Sequence, residues 1–78
     1  MHKFIVNLNS INKIKEFSKD ISMFEADIDV KSGRYVIDAK SIMGLFSLDL
    51  SKPIEIIIHS DSDSELERFA EVMKNYEV

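Results

Sequence analysis

Eight consecutive residues alternate without a break: Phe24, Ala26, Ile28 and Val30 are apolar, and Glu25, Asp27, Asp29 and Lys31 are charged. A period of two sends the two sets to opposite faces of an extended chain, so the stretch is predicted as a strand with one face on a core. Ser32 and Gly33 follow. Gly33 supplies the positive φ that a tight hairpin needs, and Arg34 to Asp38 are predicted as the returning strand. A chain with this hairpin must build a sheet on it and cover one face of that sheet.

The other elements are legible by the same means. Lys3 to Leu8 is rich in strand formers, with Phe4, Val6 and Leu8 at period two. Asn9 or Ser10 is placed to cap a helix in which Ile11, Ile14, Phe17 and Ile21 form an apolar stripe among lysines and Glu16. Ser41 to Leu48 reads as a short helix whose core contacts are Leu45 and Leu48. After a break at Ser51-Lys52-Pro53, Ile54 to His59 is predicted as a strand inside the sheet, because apolar residues dominate it. Ser62 and Glu65 have the spacing of a capping box, which predicts reciprocal bonds between them. The stripe Leu66, Phe69, Ala70 and Met73 follows.

The order is β-α-β-β-α-β-α, an α+β chain. Its strands must pair and each helix must bury its stripe. A four-stranded, mostly antiparallel sheet with three helices on one face satisfies both. Residues 1–78 are read as one domain, since so short a chain supports a single small core. There is no cysteine, and the net charge is −4. Neither disulfides nor thiolate metal sites are available, and nucleic acid is not an expected partner. No apolar run approaches the roughly 20 residues that cross a bilayer, and no signal-peptide pattern opens the chain, so a cytoplasmic protein without membrane contact is expected.

The most specific segment is Ala39-Lys40-Ser41-Ile42-Met43-Gly44-Leu45-Phe46-Ser47-Leu48. It resembles the regulatory-serine segment of HPr, the small phosphocarrier of the bacterial sugar phosphotransferase system. The hairpin Ser32-Gly33-Arg34-Tyr35-Val36 sits where that family has its own turn. From about Phe24 onward the resemblance covers nearly the whole chain. It implies the family's open-faced sandwich and the strand pairing that goes with it.

The first quarter departs from the family. HPr proteins carry a Gly-[Ile/Leu]-His-x-Arg-Pro motif at the start of the first helix, and that histidine accepts phosphate from enzyme I. Here the region reads Leu8-Asn9-Ser10-Ile11-Asn12-Lys13-Ile14. An ungapped register sets Ser10 at the histidine position and Asn12 at the arginine position. His2 and His59 lie far away in sequence. They read as an exposed terminal side chain and a solvent-facing strand end, so no phosphohistidine is expected. The chain is thus similar to the Crh type of HPr relative, which keeps the serine and lacks the histidine.

By resemblance, Ser41 is the candidate for phosphorylation by HPr kinase/phosphorylase. Lys40 is placed to screen the phosphate, and Ile42, Met43 and Phe46 are placed to form a partner-docking patch. Ser41 also has a purely structural explanation as a helix cap. Enzyme I, the kinase or a transcriptional regulator are the expected partners, with the regulator less supported because Asn12 cannot supply the arginine's charge. Two alternatives stand beside this regulatory reading: a carrier with an atypical acceptor such as Ser10, and an interaction scaffold without phosphorylation. No acid–base constellation, phosphate loop or metal-ligand cluster suggests an enzyme, a cofactor or a metal.

Overall fold

In the computed structural model, which describes residues 2–78, the hairpin around Gly33 stands at one edge of a four-stranded sheet. The elements are β1 (His2–Val6), α1 (Ile11–Ile21), β2 (Asp27–Ser32), β3 (Tyr35–Asp38), α2 (Ile42–Phe46), β4 (Ile54–His59) and α3 (Asp63–Met73). The strand order is β1-β4-β2-β3, and every neighbouring pair is antiparallel. β4 lies inside the sheet, as its apolar density predicts. It separates β1 from β2, which run parallel to each other, so their connection must cross over the sheet; α1 supplies it.

The alternation decides which face is covered. Val6, Ile28, Val30, Ile54, Ile56 and Ile58 are buried and share the face on which Ile14, Phe17, Ile21, Leu45, Phe69 and Met73 of the helices pack. The other face carries Lys3, Ile5, Lys31 and Val36 toward solvent, with Glu55 half-buried among them. Gly33 has φ +59°, which a two-residue turn with glycine in its first central position requires.

Several boundaries differ from expectation. β1 ends at Val6, although Leu8 is fully buried beyond it. The alternation from Phe24 becomes strand only at Asp27; Phe24 is nevertheless buried, with its ring edge-on to Phe69 at 5.2 Å. Ser10, rather than Asn9, caps α1. Ile11 leaves the predicted stripe and is 62% exposed. As the first residue of the helix it stands beyond the edge of the core, which begins at Ile14. The box at α3 is only half formed. Ser62 Oγ accepts from Glu65 N–H at 3.3 Å, but the Glu65 carboxylate turns away to accept from Ser60 Oγ at 2.5 Å and Ala26 N–H at 3.4 Å. That hydroxyl holds the Glu65 carboxyl below its usual range. The side chain thereby ties the start of β2 to α3, a link that local spacing does not reveal.

The C-terminal residues bond to the last residues of β1 at one edge of the sheet. Glu77 bridges Val6, Asn7 N–H donates to the Tyr76 carbonyl at 2.9 Å, and Val78 N–H donates to the Ile5 carbonyl at 3.3 Å. Tyr76 anchors this return: its ring stands perpendicular to Phe17 at 5.3 Å, and its hydroxyl donates to Asp20 Oδ2 at 2.6 Å. Tyr76→Phe is expected to cost about 1.5–3 kcal/mol, the range for a hydrogen bond to a charged acceptor. Burial, and then Asp20, push the Tyr76 pKa up. The neutral phenol is therefore favoured by folding, and its contribution is complete below the ordinary tyrosine value near about 10. It is lost as pH rises beyond that value. Urea unfolding against pH checks this: the stability gap between wild type and Tyr76→Phe should narrow above about pH 10, and a gap that widens there contradicts the assignment.

Candidate functional site

Two serines open two helices that pack on each other. Ser10 Oγ accepts from Lys13 N–H at 3.2 Å at the start of α1. Ser41 Oγ accepts from Gly44 N–H at 3.3 Å at the start of α2. In each case the hydroxyl satisfies a backbone donor that the first helical turn leaves unpaired. Both serines are exposed, so both hydroxyls can be reached from solvent.

The short helix α2 is shaped by what lies beneath it. Leu45 is fully buried, and Leu48 and Ile42 are partly buried against the core. Met43 is 78% exposed and Phe46 45% exposed. The three residues expected to form a patch therefore divide, with Ile42 turned partly inward and Met43 and Phe46 left outward. Five residues do not sustain a helix by themselves, so Leu45 holds this surface in place.

Gly44 has a role that the spacing did not disclose. A Cβ there would lie 3.1 Å from Ile37 Cδ1 and 3.3 Å from Ser41 Oγ. Its absence lets α2 sit closely on β3 and lets the serine hydroxyl approach the Gly44 amide. The available signal was a glycine inside a helical pattern, which a close contact justifies.

Lys40 differs from expectation. Its ammonium donates to the Phe24 carbonyl at 2.6 Å, and its backbone N–H donates to Asp38 Oδ1 at 2.9 Å. The side chain thus pins the residues before β2 to the start of α2 and is already engaged, instead of standing ready beside Ser41. At the predicted histidine position, Ser10 is followed by the exposed side chains of Ile11 and Asn12. Neither histidine approaches this region through an observed bond. His59 ends β4 and pairs through Nε2 with Asp29 Oδ2 at 2.9 Å, and His2 opens β1. Among the described residues no His, Asp and Glu side chains gather as a metal site, and no helix is long and apolar enough to cross a membrane.

Comparison with known proteins agrees with this architecture. A family model described as the PTS HPr component phosphorylation site matches residues 6–76. The chain superposes on HPr-C-His from Thermoanaerobacter tengcongensis with a TM-score of 0.75 at 19% identity, over 96% of this chain and 93% of that one. On the histidine-containing phosphocarrier protein of a Mycoplasma the TM-score is 0.68 at 19% identity, over 95% and 93%. On the phosphocarrier protein HPr from Bacillus anthracis it is 0.65 at 28% identity, over 90% of each chain. No curated protein matches the chain.

Proposed function

The chain belongs to the HPr family, and from that membership we propose that it is a regulatory member, phosphorylated on Ser41 and acting by contact with protein partners. HPr proteins are phosphocarriers of the sugar phosphotransferase system rather than catalysts, and they meet proteins of that system such as enzyme I. The observation that carries the regulatory reading is an asymmetry between the two helix starts. At α1, where the family places its phosphoacceptor histidine and supporting arginine, this sequence has Ser10 and Asn12. At α2 the serine, the glycine and an apolar surface all remain.

The chemistry supports the same division. Phosphate on imidazole is a labile donor suited to relay, whereas a serine ester at Ser10 would be a poor one. A phosphate on Ser41 brings a charge of about −1.5 to −2 to the rim of the surface formed by Met43 and Phe46. It changes what that surface accepts without requiring onward transfer. Methionine adapts to partners of different shape, which suits docking to a kinase, to enzyme I or to a transcriptional regulator. Because the Lys40 ammonium is bound to the Phe24 carbonyl, it offers the phosphate little screening, and the new charge faces the partner directly.

Two incubations test the reading. With ATP and an HPr kinase, mass spectrometry should find one phosphate on Ser41, lost in Ser41→Ala. With phosphoenolpyruvate and enzyme I, no acid-labile phosphohistidine should form. Absence of ATP-dependent label, label that survives Ser41→Ala, or stoichiometric phosphohistidine would each overturn it.

A further inference from the structure

The sheet has two edges, and the fold treats them differently. The outer side of β1 is bridged by the C-terminal residues. β3 pairs with β2 on one side only. Ala39 N–H donates to the Ile28 carbonyl at 2.8 Å, so Ala39, and with it Ile37 and Tyr35, direct their backbone groups toward β2. Val36 and Asp38, one residue out of phase, direct theirs outward. The Asp38 carbonyl accepts from Ser41 N–H at 3.0 Å. Among the described residues no backbone bond from outside β2 reaches Val36.

An unpaired edge is a template for another strand, and natural edges are usually blunted by charges. The charges here have the opposite effect when β3 meets a second β3. The segment Arg34-Tyr35-Val36-Ile37-Asp38 is complementary to its own antiparallel copy. A two-fold axis at Val36 sets each Arg34 beside the other copy's Asp38 and each Tyr35 beside the other copy's Ile37. Three features of the single chain fit that arrangement. Tyr35 and Val36 are 71% and 58% exposed, which is unusual for an aromatic and a β-branched residue on a strand. Asp38 stands directly opposite Asp29, a like-charge pair that disfavours the hairpin unless a cation joins it. His59 Nε2 lies 2.9 Å from Asp29 Oδ2, whereas Asp38 Oδ1 accepts only from the Lys40 backbone N–H, and among the described residues no cationic side chain pairs with Asp38.

We propose that the β3 edge is a self-association surface, on which two copies of this chain pair β3 antiparallel about Val36, with Arg34 of each copy against Asp38 of the other. The product is one continuous sheet through both copies. Pairing consumes the β3 edge of both copies, and at the opposite edge the C-terminal residues already bond Ile5 and Asn7 and bridge Val6. The pairing uses neither the Ser41 hydroxyl nor Met43, although Asp38 adjoins Ser41 through its carbonyl, and the proposal does not depend on the regulatory reading.

Sedimentation of the full chain from about 10 μM to about 1 mM, the range in which small interfaces equilibrate, tests it. The mass should rise from one copy to two with increasing concentration. Arg34→Asp alone sets acid against acid, and Asp38→Arg alone sets base against base. Each should weaken self-association by about tenfold or more. An equimolar mixture of the two variants restores both ion pairs and should associate as the wild type does. Circular dichroism establishes that each variant is folded. Arg34→Asp lies on an exposed turn, so the proposal remains testable if Asp38→Arg disturbs the turn at Lys40. A wild type that stays single at every concentration would overturn the proposal. So would assembly beyond two copies, association unaffected by Arg34→Asp, or association abolished by Met43→Asp while Arg34→Asp leaves it intact.

Discussion

Phe69→Ala is expected to leave the chain at best marginally folded. Phe69 is fully buried at the centre of the layer between α3 and the sheet. Its ring is edge-on to Phe4 at 5.4 Å and to Phe24 at 5.2 Å. Removing a buried phenylalanine costs about 3–5 kcal/mol, as lost burial plus the cavity left behind. A chain of this length holds about 4–12 kcal/mol in total, at roughly 0.05–0.15 kcal/mol per residue. One side chain therefore accounts for a large share of the margin. The consequence is amplified because the three rings come from β1, the segment before β2, and α3, so the vacancy loosens three parts of the fold together. Urea unfolding followed by circular dichroism reads the effect as a large fall in midpoint with little change in slope. A loss below about 1 kcal/mol would mean that these rings are not the centre of the core.

Leu45→Ala is expected to separate the proposed regulatory surface from the rest of the fold. Leu45 is the one fully buried side chain of α2, and a five-residue helix has almost no stability of its own. The substitution should cost about 2–5 kcal/mol, and the loss should fall unevenly. The sheet, α1 and α3 keep their own buried residues. By contrast α2 loses its anchor, and with it the contact between Ser41 Oγ and the Gly44 amide. Native-state hydrogen exchange should therefore show the amides of Gly44 and Leu45 opening well before those of β4. In the same variant, labelling of Ser41 by an HPr kinase should weaken if the kinase reads the ordered helix. Uniform loss of protection across the chain would show instead that α2 folds as one unit with the sheet.

How much of this was legible beforehand differs from residue to residue. The burial of Ile28 and Val30, the interior position of β4 and the turn at Gly33 follow from local rules, because each depends on neighbours within a few residues. Ile11 fits the helical period and is still exposed. Periodicity assigns a residue to a face but does not say where the core ends. The Glu65 carboxylate and the Lys40 ammonium escaped prediction for a related reason: both could be assigned partners nearby, yet Lys40 reaches the distant Phe24 carbonyl and Glu65 accepts from Ser60 Oγ and from the distant Ala26 N–H. At the candidate site, the cap at Ser41 and the exposure of Met43 were readable. The inward turn of Ile42, and the room that Gly44 leaves for Ile37, were not.

The sequence by itself determined the order of the elements, the face that each strand buries, the caps at Ser41 and Ser62, and the presence of Ser10 and Asn12 where the family's histidine and arginine are expected. These are properties of spacing and residue type, and they hold before any two elements meet. Only the tertiary structure decided which edge of the sheet the C-terminal residues bond to, where Lys40 and Glu65 are spent, and which side chains around Ser41 face outward. Each of those outcomes depends on segments distant in sequence competing for the same donors, acceptors and buried volume, and only the assembled fold resolves that competition.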